Sequence, residues 1–568
     1  MHAQAWMKEL NQKKSASEHI DFYDVQRAFN TWWEENKTKT ETTGEAGEEE
    51  EQGWEQFKRW EFFMEPRVYP EGNLELPSIY PQIKYLASLT SLPSGWESLG
   101  PFTVPGVIFM EEKAGAGRLN TIAFNPDDEN TMWVGTPSGG IWKTTDGGNT
   151  WSTSSDDLAS IGVSDIAVNP KNPDELYIVT GDGDAGDTYS IGILKSSDGG
   201  DTWEQTGVMM TLPDQVAFRR IIINPGAPGT MLATSNKGIY RTSDGFQTAS
   251  LVQEGNFKDI EYKPGTFRMI YATKYDVNGN GAIFRSVDYG QNFGVLGNGL
   301  NFNGQVNRIE LAVTPANPEV VYALASASAD DGFFGLYKST NNGLNWTTLY
   351  DKSDPLNLLG WELGGKDKGG QGWYDLSLAV SPTDENTVIT GGINIWKSTD
   401  GGSSFKISAH WIGSPTVPYV HADQHMLKYN PVNNRLYSCN DGGIYYSDND
   451  AIGWTDISDG LTILQIYRIA ATDAVFDLFL TGNQDNGSMM RSGGEWNQVT
   501  GGDGMDCAID PTDANILYTS YYNGNFYRSI DGGSNFNPIG PPDQPGSGAW
   551  ITPLELGPGN PSSIYTAY

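Results

Sequence analysis

The spacing of apolar residues changes character near position 92. Before it, Phe22, Val25, Phe29, Trp32 and Trp33 recur at helical intervals, so residues 20–36 read as one amphipathic helix. Asp21 and Asp24 stand at its start, where acidic side chains favour a helix N-terminus. Trp54, Phe57, Trp60 and Phe62 mark a second helix over 53–64. The intervening text, acidic and of low complexity over 41–52, reads as a disordered linker. From Pro66 to Pro93 a Pro- and aromatic-rich stretch predicts an extended segment. The boundary falls at 92/93, with a helical and extended segment before it and a repeat array after it.

From Leu119 onward the apolar period becomes two, and the pattern repeats. Each unit opens with an alternating strand that stops at Pro126, Pro170, Pro225, Pro264, Pro315, Pro382, Pro431 or Pro511. A short apolar strand follows, such as Thr-Met-Trp-Val-Gly at 131–135, and then a hairpin. The hairpin reads Lys-Thr-Thr-Asp-Gly-Gly-Asn-Thr-Trp at 143–151 and returns at 195–203, 397–405 and 528–536. Weaker copies lie around Asp244, Asp288, Asn341 and Asp448. A hydroxyl residue and an Asp before glycines predict a turn that bonds its own backbone. Four strands per unit, at a period of about 40 to 60 residues, are the signature of propeller blades.

A ninth unit without a clear Asp turn fits 466–496, and a tenth begins at Leu554 and stops within its second strand at Tyr568. The expected fold is therefore an all-β propeller of four-stranded blades, nine complete and one truncated. The uninterrupted repeat favours one ten-bladed ring over two seven-bladed rings. A stop inside a blade leaves an open apolar edge, so the chain reads as a fragment. The stretch 95–101 resembles an outer blade strand without its preceding strands.

Composition sharpens this picture. Gly is 68 of 568 residues, aromatics are 12% and the formal charge is −35. The Gly and aromatic content suits a turn-rich β protein, and the charge argues against nucleic acid or an anionic membrane as partner. No apolar run reaches the 18 residues of a membrane span, and no signal-peptide pattern opens the chain. Cys439 and Cys507 lack metal-type spacing and read as small buried residues.

The motif Ser/Thr-x-Asp-x-Gly-x-x-Trp/Phe resembles the Asp box, or bacterial neuraminidase repeat, and the chain looks most like bacterial sortilin-like propellers over 95–568. Sialidases and xyloglucan-cleaving glycoside hydrolases share such repeats. The resemblance implies a secreted or cell-surface protein. It also implies that Asp146, Asp198, Asp244, Asp288, Asp400 and Asp531 are structural. Chemistry is then expected where repeats depart from their average. Asp182, Asp184 and Asp187 have calcium-like spacing but lack the closing Glu of an EF-hand loop, so calcium is the cofactor to test. On an extended strand His421, Asp423 and His425 would share a face and offer a metal site or a hydrogen-bonded pair lining a central channel.

Asp423, Asp485, Asp503 and Asp506 are the candidate catalytic carboxylates, because a pair around a water performs inverting glycoside hydrolysis. The xyloglucanase resemblance matches Asp485 to one catalytic Asp and places Pro137 where the other belongs. Gln484 and Asp441 are candidate ligand contacts. Trp361, Trp373, Tyr374 and Trp411, with Tyr419, flank loop-like insertions and would form a sugar-stacking platform. The leading reading is a monomeric extracellular propeller binding a glycan or peptide on its top face and central channel. The alternative is a secreted polysaccharide-cleaving glycoside hydrolase.

Overall fold

The computed structural model describes residues 20–36, 54–74, 97–107 and 113–567, apart from 157, 159–161, 187, 212–213, 541–547 and 558–559. Its contacts divide the chain into two units. Unit 1 comprises residues 1–93, 119–440 and 445–455, and unit 2 comprises 94–118, 441–444 and 456–568.

The two N-terminal helices form as the apolar spacing predicts. Helix α1 spans Phe22–Asn36 and α2 spans Trp54–Val68. Asp21 and Asp24 each accept the other's backbone N–H, at 3.1 and 2.8 Å, which is a reciprocal cap on α1. The helices meet through Phe29 and Phe57, whose rings stack at 3.7 Å. Pro66 lies inside the last turn of α2, so the stretch expected to be extended from Pro66 opens as helix instead. Residues 75–93 and the acidic linker at 41–52 lie outside the described residues.

The rest of unit 1 is a ring of seven blades. Their innermost strands are Thr121–Phe124, Val163–Val168, Phe218–Ile223, Phe257–Tyr262, Val306–Val313, Ser377–Val380 and Met426–Tyr429. Each belongs to a four-stranded sheet with its strands in chain order, and each packs against the innermost strand of the next blade. Inner strands are buried on both faces and so read as apolar runs, while outer strands such as Glu204–Met209 are mostly exposed and polar.

Blade 7 then packs directly on blade 1. Lys428 Nζ donates to the Ile122 carbonyl at 3.1 Å, Asn430 Nδ2 donates to the Glu129 carbonyl at 3.2 Å, and the Phe124 and Tyr437 rings lie 5.1 Å apart. The blade type is as expected, and the ring closes at seven rather than ten. The linear repeat carries no mark of this closure, because the blades after the seventh keep the same strand pattern.

The Asp turns follow one scheme. In blade 2, Ser196 Oγ donates to Asp198 Oδ1 at 2.8 Å and accepts the Gly200 N–H at 2.8 Å. Asp198 in turn accepts the Thr202 N–H at 2.9 Å and its hydroxyl at 2.6 Å. Asp146, Asp244, Asp288, Asp400 and Asp531 repeat this pattern. In blade 7 the acceptor is Asn449, one residue beyond the expected Asp448. These turns join third to fourth strands.

Unit 2 contains two complete sheets and a two-stranded one. The first comprises Ile466–Ala471, Phe479–Asn483, Ser488–Ser492 and Glu495–Thr500, the second runs from Cys507–Ile509 to Asn537–Ile539, and the third pairs Leu554–Gly557 with Asn560–Thr566. The extra outer strand expected at 95–101 is instead Gly106–Val107, which pairs in parallel with Glu495–Thr500. Within 97–101 the Leu99 carbonyl accepts from Trp496 Nε1 at 2.8 Å and Arg491 Nη1 at 2.9 Å without forming a strand. Cys439 and Cys507 are both free and buried, and burial pushes the Cys507 thiol up to about 12.

Candidate functional site

In an antiparallel blade, the loops joining second to third strands share an end with the connectors from a fourth strand to the next blade. The Asp turns lie at the other end. This topology separates the repeated Asp residues from every residue singled out for chemistry, and the two units carry that set in two groups.

In unit 1 the group gathers at the start of the innermost strands. Four of these open with an apolar residue, two polar residues and Ile: Val163-Ser164-Asp165-Ile166, Phe218-Arg219-Arg220-Ile221, Phe257-Lys258-Asp259-Ile260 and Val306-Asn307-Arg308-Ile309. A register slip sits inside each one. Such a bulge re-aims side chains locally. Lys258 and Arg308 are thereby buried beside a loop of blade 2 that carries Asp184.

Asp184 is the hub of this cluster. Its carboxylate lies 3.3 Å from Arg308 Nη2, 3.6 Å from Lys258 Nζ and 3.2 Å from His425 Nδ1. Burial opposes its charge, but Arg308, His425 and Lys258 outweigh it and hold the carboxyl well below its ordinary range. Arg308 Nη1 also donates to the Tyr374 carbonyl at 2.6 Å, and Lys258 Nζ to the Trp373 carbonyl at 2.8 Å. The sequence reading missed Lys258, Arg308 and Arg219. The signal was present as the repeated polar pair inside strands that are otherwise apolar.

This arrangement contradicts the shared strand face expected for His421, Asp423 and His425, while the calcium expectation rests in part on Asp187. Asp184 already has two cations within 3.6 Å, and their charge repels a calcium ion from that carboxylate. Asp182 is buried nearby and Asp187 lies outside the described residues. No group suited to a metal occurs among the described residues. His421, Asp423 and His425 do not share a strand face, because the strand begins only at Met426 and Asp423 has φ +67°. His425 turns to Asp184, while Gln424 Nε2 donates to the His421 carbonyl at 2.6 Å.

The aromatic residues divide in the same way. Tyr374 is buried and packs edge-on against His425 at 4.7 Å, so it cannot stack on a sugar. Trp361, Trp373, Trp411 and Tyr419 remain half-exposed. Trp411 Nε1 donates to the Trp361 carbonyl at 3.2 Å, and His410 Nε2 lies 3.0 Å from the same oxygen.

In unit 2, Asp485 sits in the loop between the second and third strands of the first sheet, with φ +56°. Its N–H donates to Asp503 Oδ1 at 2.8 Å, and its Oδ2 accepts from Gln484 Nε2 at 2.9 Å. Gln484 Oε1 accepts the Tyr467 hydroxyl at 3.2 Å. The loops can approach because a Cβ on Gly504 would meet the Gly487 carbonyl oxygen at 2.4 Å. Asp485 is half-buried and Asp503 is buried, so the Asp503 carboxylate holds the backbone of a loop whose own carboxylate is the more open of the two.

The remaining candidates have other work. Asp506 accepts the N–H of Cys507 at 2.9 Å and of Leu554 at 3.0 Å, which fastens one sheet to the next. Asp165 and Asp259 do the same in unit 1, accepting the N–H of Ile221 at 2.9 Å and of Leu311 at 2.8 Å. Asp441 lies 3.8 Å from Arg118 Nε, and its carbonyl accepts from Asn486 Nδ2 at 3.1 Å. Asp506 thus fastens neighbouring sheets while being half-buried like Asp485, and Asp441 is fully buried. Thr136 to Gly140 closes as a turn, with the Thr136 N–H on the Gly140 carbonyl at 3.1 Å, and Pro137 brings no carboxylate to it.

Blades of this order, Asp turns at one end and carboxylates at the other define an all-β propeller. No protein-family profile matches the chain. It is similar to a xyloglucanase of Paenibacillus sp, 25% identical over 338 residues, covering 57% of this chain and 28% of that protein. It is also similar to a xyloglucanase of Acetivibrio thermocellus, 22% identical over 387 residues, covering 57% and 41%. The chain thus spans well under half the length of these curated relatives. Among solved structures, the GH74 enzyme of Niastella koreensis aligns with a TM-score of 0.58 at 16% identity, covering 82% of this chain and 74% of that one. An ancestral GH74 enzyme aligns with the same score and identity, covering 82% and 67%. These alignments establish the propeller fold.

Proposed function

We propose that the chain acts on a polysaccharide as a glycoside hydrolase, with Asp485 and Asp503 as its carboxylates. The observation that carries this reading is the coupling of the two in unit 2, where the Asp485 N–H binds the Asp503 carboxylate at 2.8 Å. Asp485 sits in the blade loop that departs from the repeat, is half-open, and occupies the position the xyloglucanase resemblance assigns to a catalytic Asp. Two carboxylates flanking a glycosidic oxygen supply the acid and the base for hydrolysis. The relatives named xyloglucanases support xyloglucan or a similar polysaccharide as the substrate.

A second reading is a propeller that binds a glycan without cleaving it. Pro137 favours it, because unit 1 offers no carboxylate at the place the resemblance assigns to the partner acid. Reducing-sugar release from xyloglucan and related polysaccharides separates the two readings. Release by the wild type, lowered roughly 10²–10⁴-fold in Asp485→Asn, supports hydrolysis. Binding to the same polysaccharide with no release supports the second reading. Release that is unchanged in Asp485→Asn removes the assigned residue.

A further inference from the structure

The bulge in blade 3 brings two arginines to the ring centre of unit 1, and they fare differently. Arg220 Nη2 lies 3.2 Å from Glu310 Oε1. Arg219 has no such acid: its Nε and Nη1 are sealed from solvent and have no hydrogen-bond partner among the described residues. A buried, unmatched guanidinium is strongly unfavourable unless something pairs with it.

Among the described residues its surroundings place no acceptor within hydrogen-bond range of these two nitrogens. Asp184, Arg308, Tyr275 and Asp182 are the groups whose fields reach it. Asp184 is already shared among Arg308, Lys258 and His425. Burial lowers Arg219 to about 10. It also takes Lys258 well below its ordinary range, with the charges of Arg308 and Arg219 adding to the effect. The other buried acids nearby, Asp259, Glu310 and Asp331, are pushed up by burial to about 7, 8 and 7, so they offer Arg219 less charge than their number suggests, although the whole chain carries −35. The pull on an anion is local and does not come from the general field, which repels anions.

We propose that the ring centre of unit 1, at its loop end, is a binding site for a small carboxylate, with Arg219 as the principal ligand. The planar guanidinium fork matches a carboxylate, and desolvation strengthens the pair. Arg219 as a whole is only half-buried, so the rest of its side chain meets solvent beside the two sealed nitrogens. Lys258 and Arg308 supply the field, and Asp184 fixes both of them in place.

The test titrates the full chain, at constant ionic strength in a weakly coordinating buffer, with acetate, glucuronate and phosphate. Calorimetric Tm and isothermal titration are the readouts. Wild type is expected to show a saturable Tm rise and a 1:1 isotherm with a carboxylate. Arg219→Met is expected to melt no lower than wild type without anion and to lose at least tenfold in affinity. Arg219→Lys is expected to keep part of the response, which guards against a variant that fails to fold. No saturable response in wild type, or an equal response in Arg219→Met, overturns the proposal. Tighter binding of phosphate than of either carboxylate overturns the ligand class. Reducing-sugar release does not enter this measurement, so the hydrolase reading and this site stand or fall separately.

Discussion

The carboxylate of Asp184 lies 3.2 Å from the imidazole Nδ1 of His425, 241 positions away in the chain. One loop of blade 2 thus reaches the segment that leads into blade 7 and, through Lys258 and Arg308, blades 4 and 5 as well. Removing the charge at Asp184 strands two buried cations. Asp184→Asn is expected to lower unfolding free energy by about 3–5 kcal/mol, the usual cost of breaking a buried pair from one side. Chemical denaturation read against wild type checks this, and a loss below about 1 kcal/mol would show that the cluster is not a fastener.

The Asp turns predict an acid limb in the stability profile. Hydrogen bonds from the Thr202 hydroxyl, the Thr202 N–H and the Ser196 hydroxyl hold Asp198 at about 2. Asp288 also sits at about 2, because the bonds from Asn292 and Ser286 outweigh the opposing effect of burial. A carboxyl with a folded pKa below its unfolded value contributes stability that is fully present above the unfolded pKa. That contribution is lost as pH falls through the folded value. Tm should therefore decline from about pH 4 toward about pH 2, with a shallower slope in Asp198→Asn.

Asp331 acts in the opposite sense. Burial raises it to about 7, although an Asn307 amide donates to it and lowers it somewhat. Here the folded pKa exceeds the unfolded one, so the folded state binds the extra proton and stability falls as pH rises from about 4 to about 7. Asp331→Asn should be more stable than wild type above pH 7 and nearly equal to it below pH 4. A pH series of melting curves on the two proteins distinguishes this from a variant that merely loses the Asn307 bond, which would be less stable throughout.

The hold of Asp503 on the Asp485 backbone makes a separate prediction. Asp503→Ala leaves the Asp485 N–H without its acceptor and should cost about 1–3 kcal/mol, together with the activity that depends on Asp485. Asp503→Asn keeps an acceptor oxygen, so stability should stay near wild type while hydrolysis falls. Parallel unfolding and reducing-sugar measurements separate positioning from proton transfer.

The blades were legible because four strands, a Pro turn and a self-bonded Asp turn leave a mark in every copy. The helices at 22–36 and 54–68 were legible for a similar reason, since aromatic residues at helical spacing have few other uses. Ring closure was not legible. It rests on Lys428 reaching the Ile122 carbonyl, a contact that no local spacing encodes. The central cluster was half legible: Asp184 and His425 stood out as departures from the repeat, but their pairing joins remote loops. The metal reading of 421–425 failed because it assumed an extended strand where Asp423 takes a positive φ.

The contact between Asp184 and His425, 241 positions apart, also sets an order on biosynthesis. When the blade 2 loop leaves the ribosome, its partner before blade 7 has yet to be made. At about 5–20 residues per second, the wait is roughly 12 to 48 seconds. During that interval Asp184 can meet only Lys258 and then Arg308, so the nascent unit must persist as an open arc with its first blade unpaired. The contact that closes the finished ring, Lys428 on the Ile122 carbonyl, joins residues 306 apart and comes later still, so blade 1 keeps an open edge until the seventh blade is made.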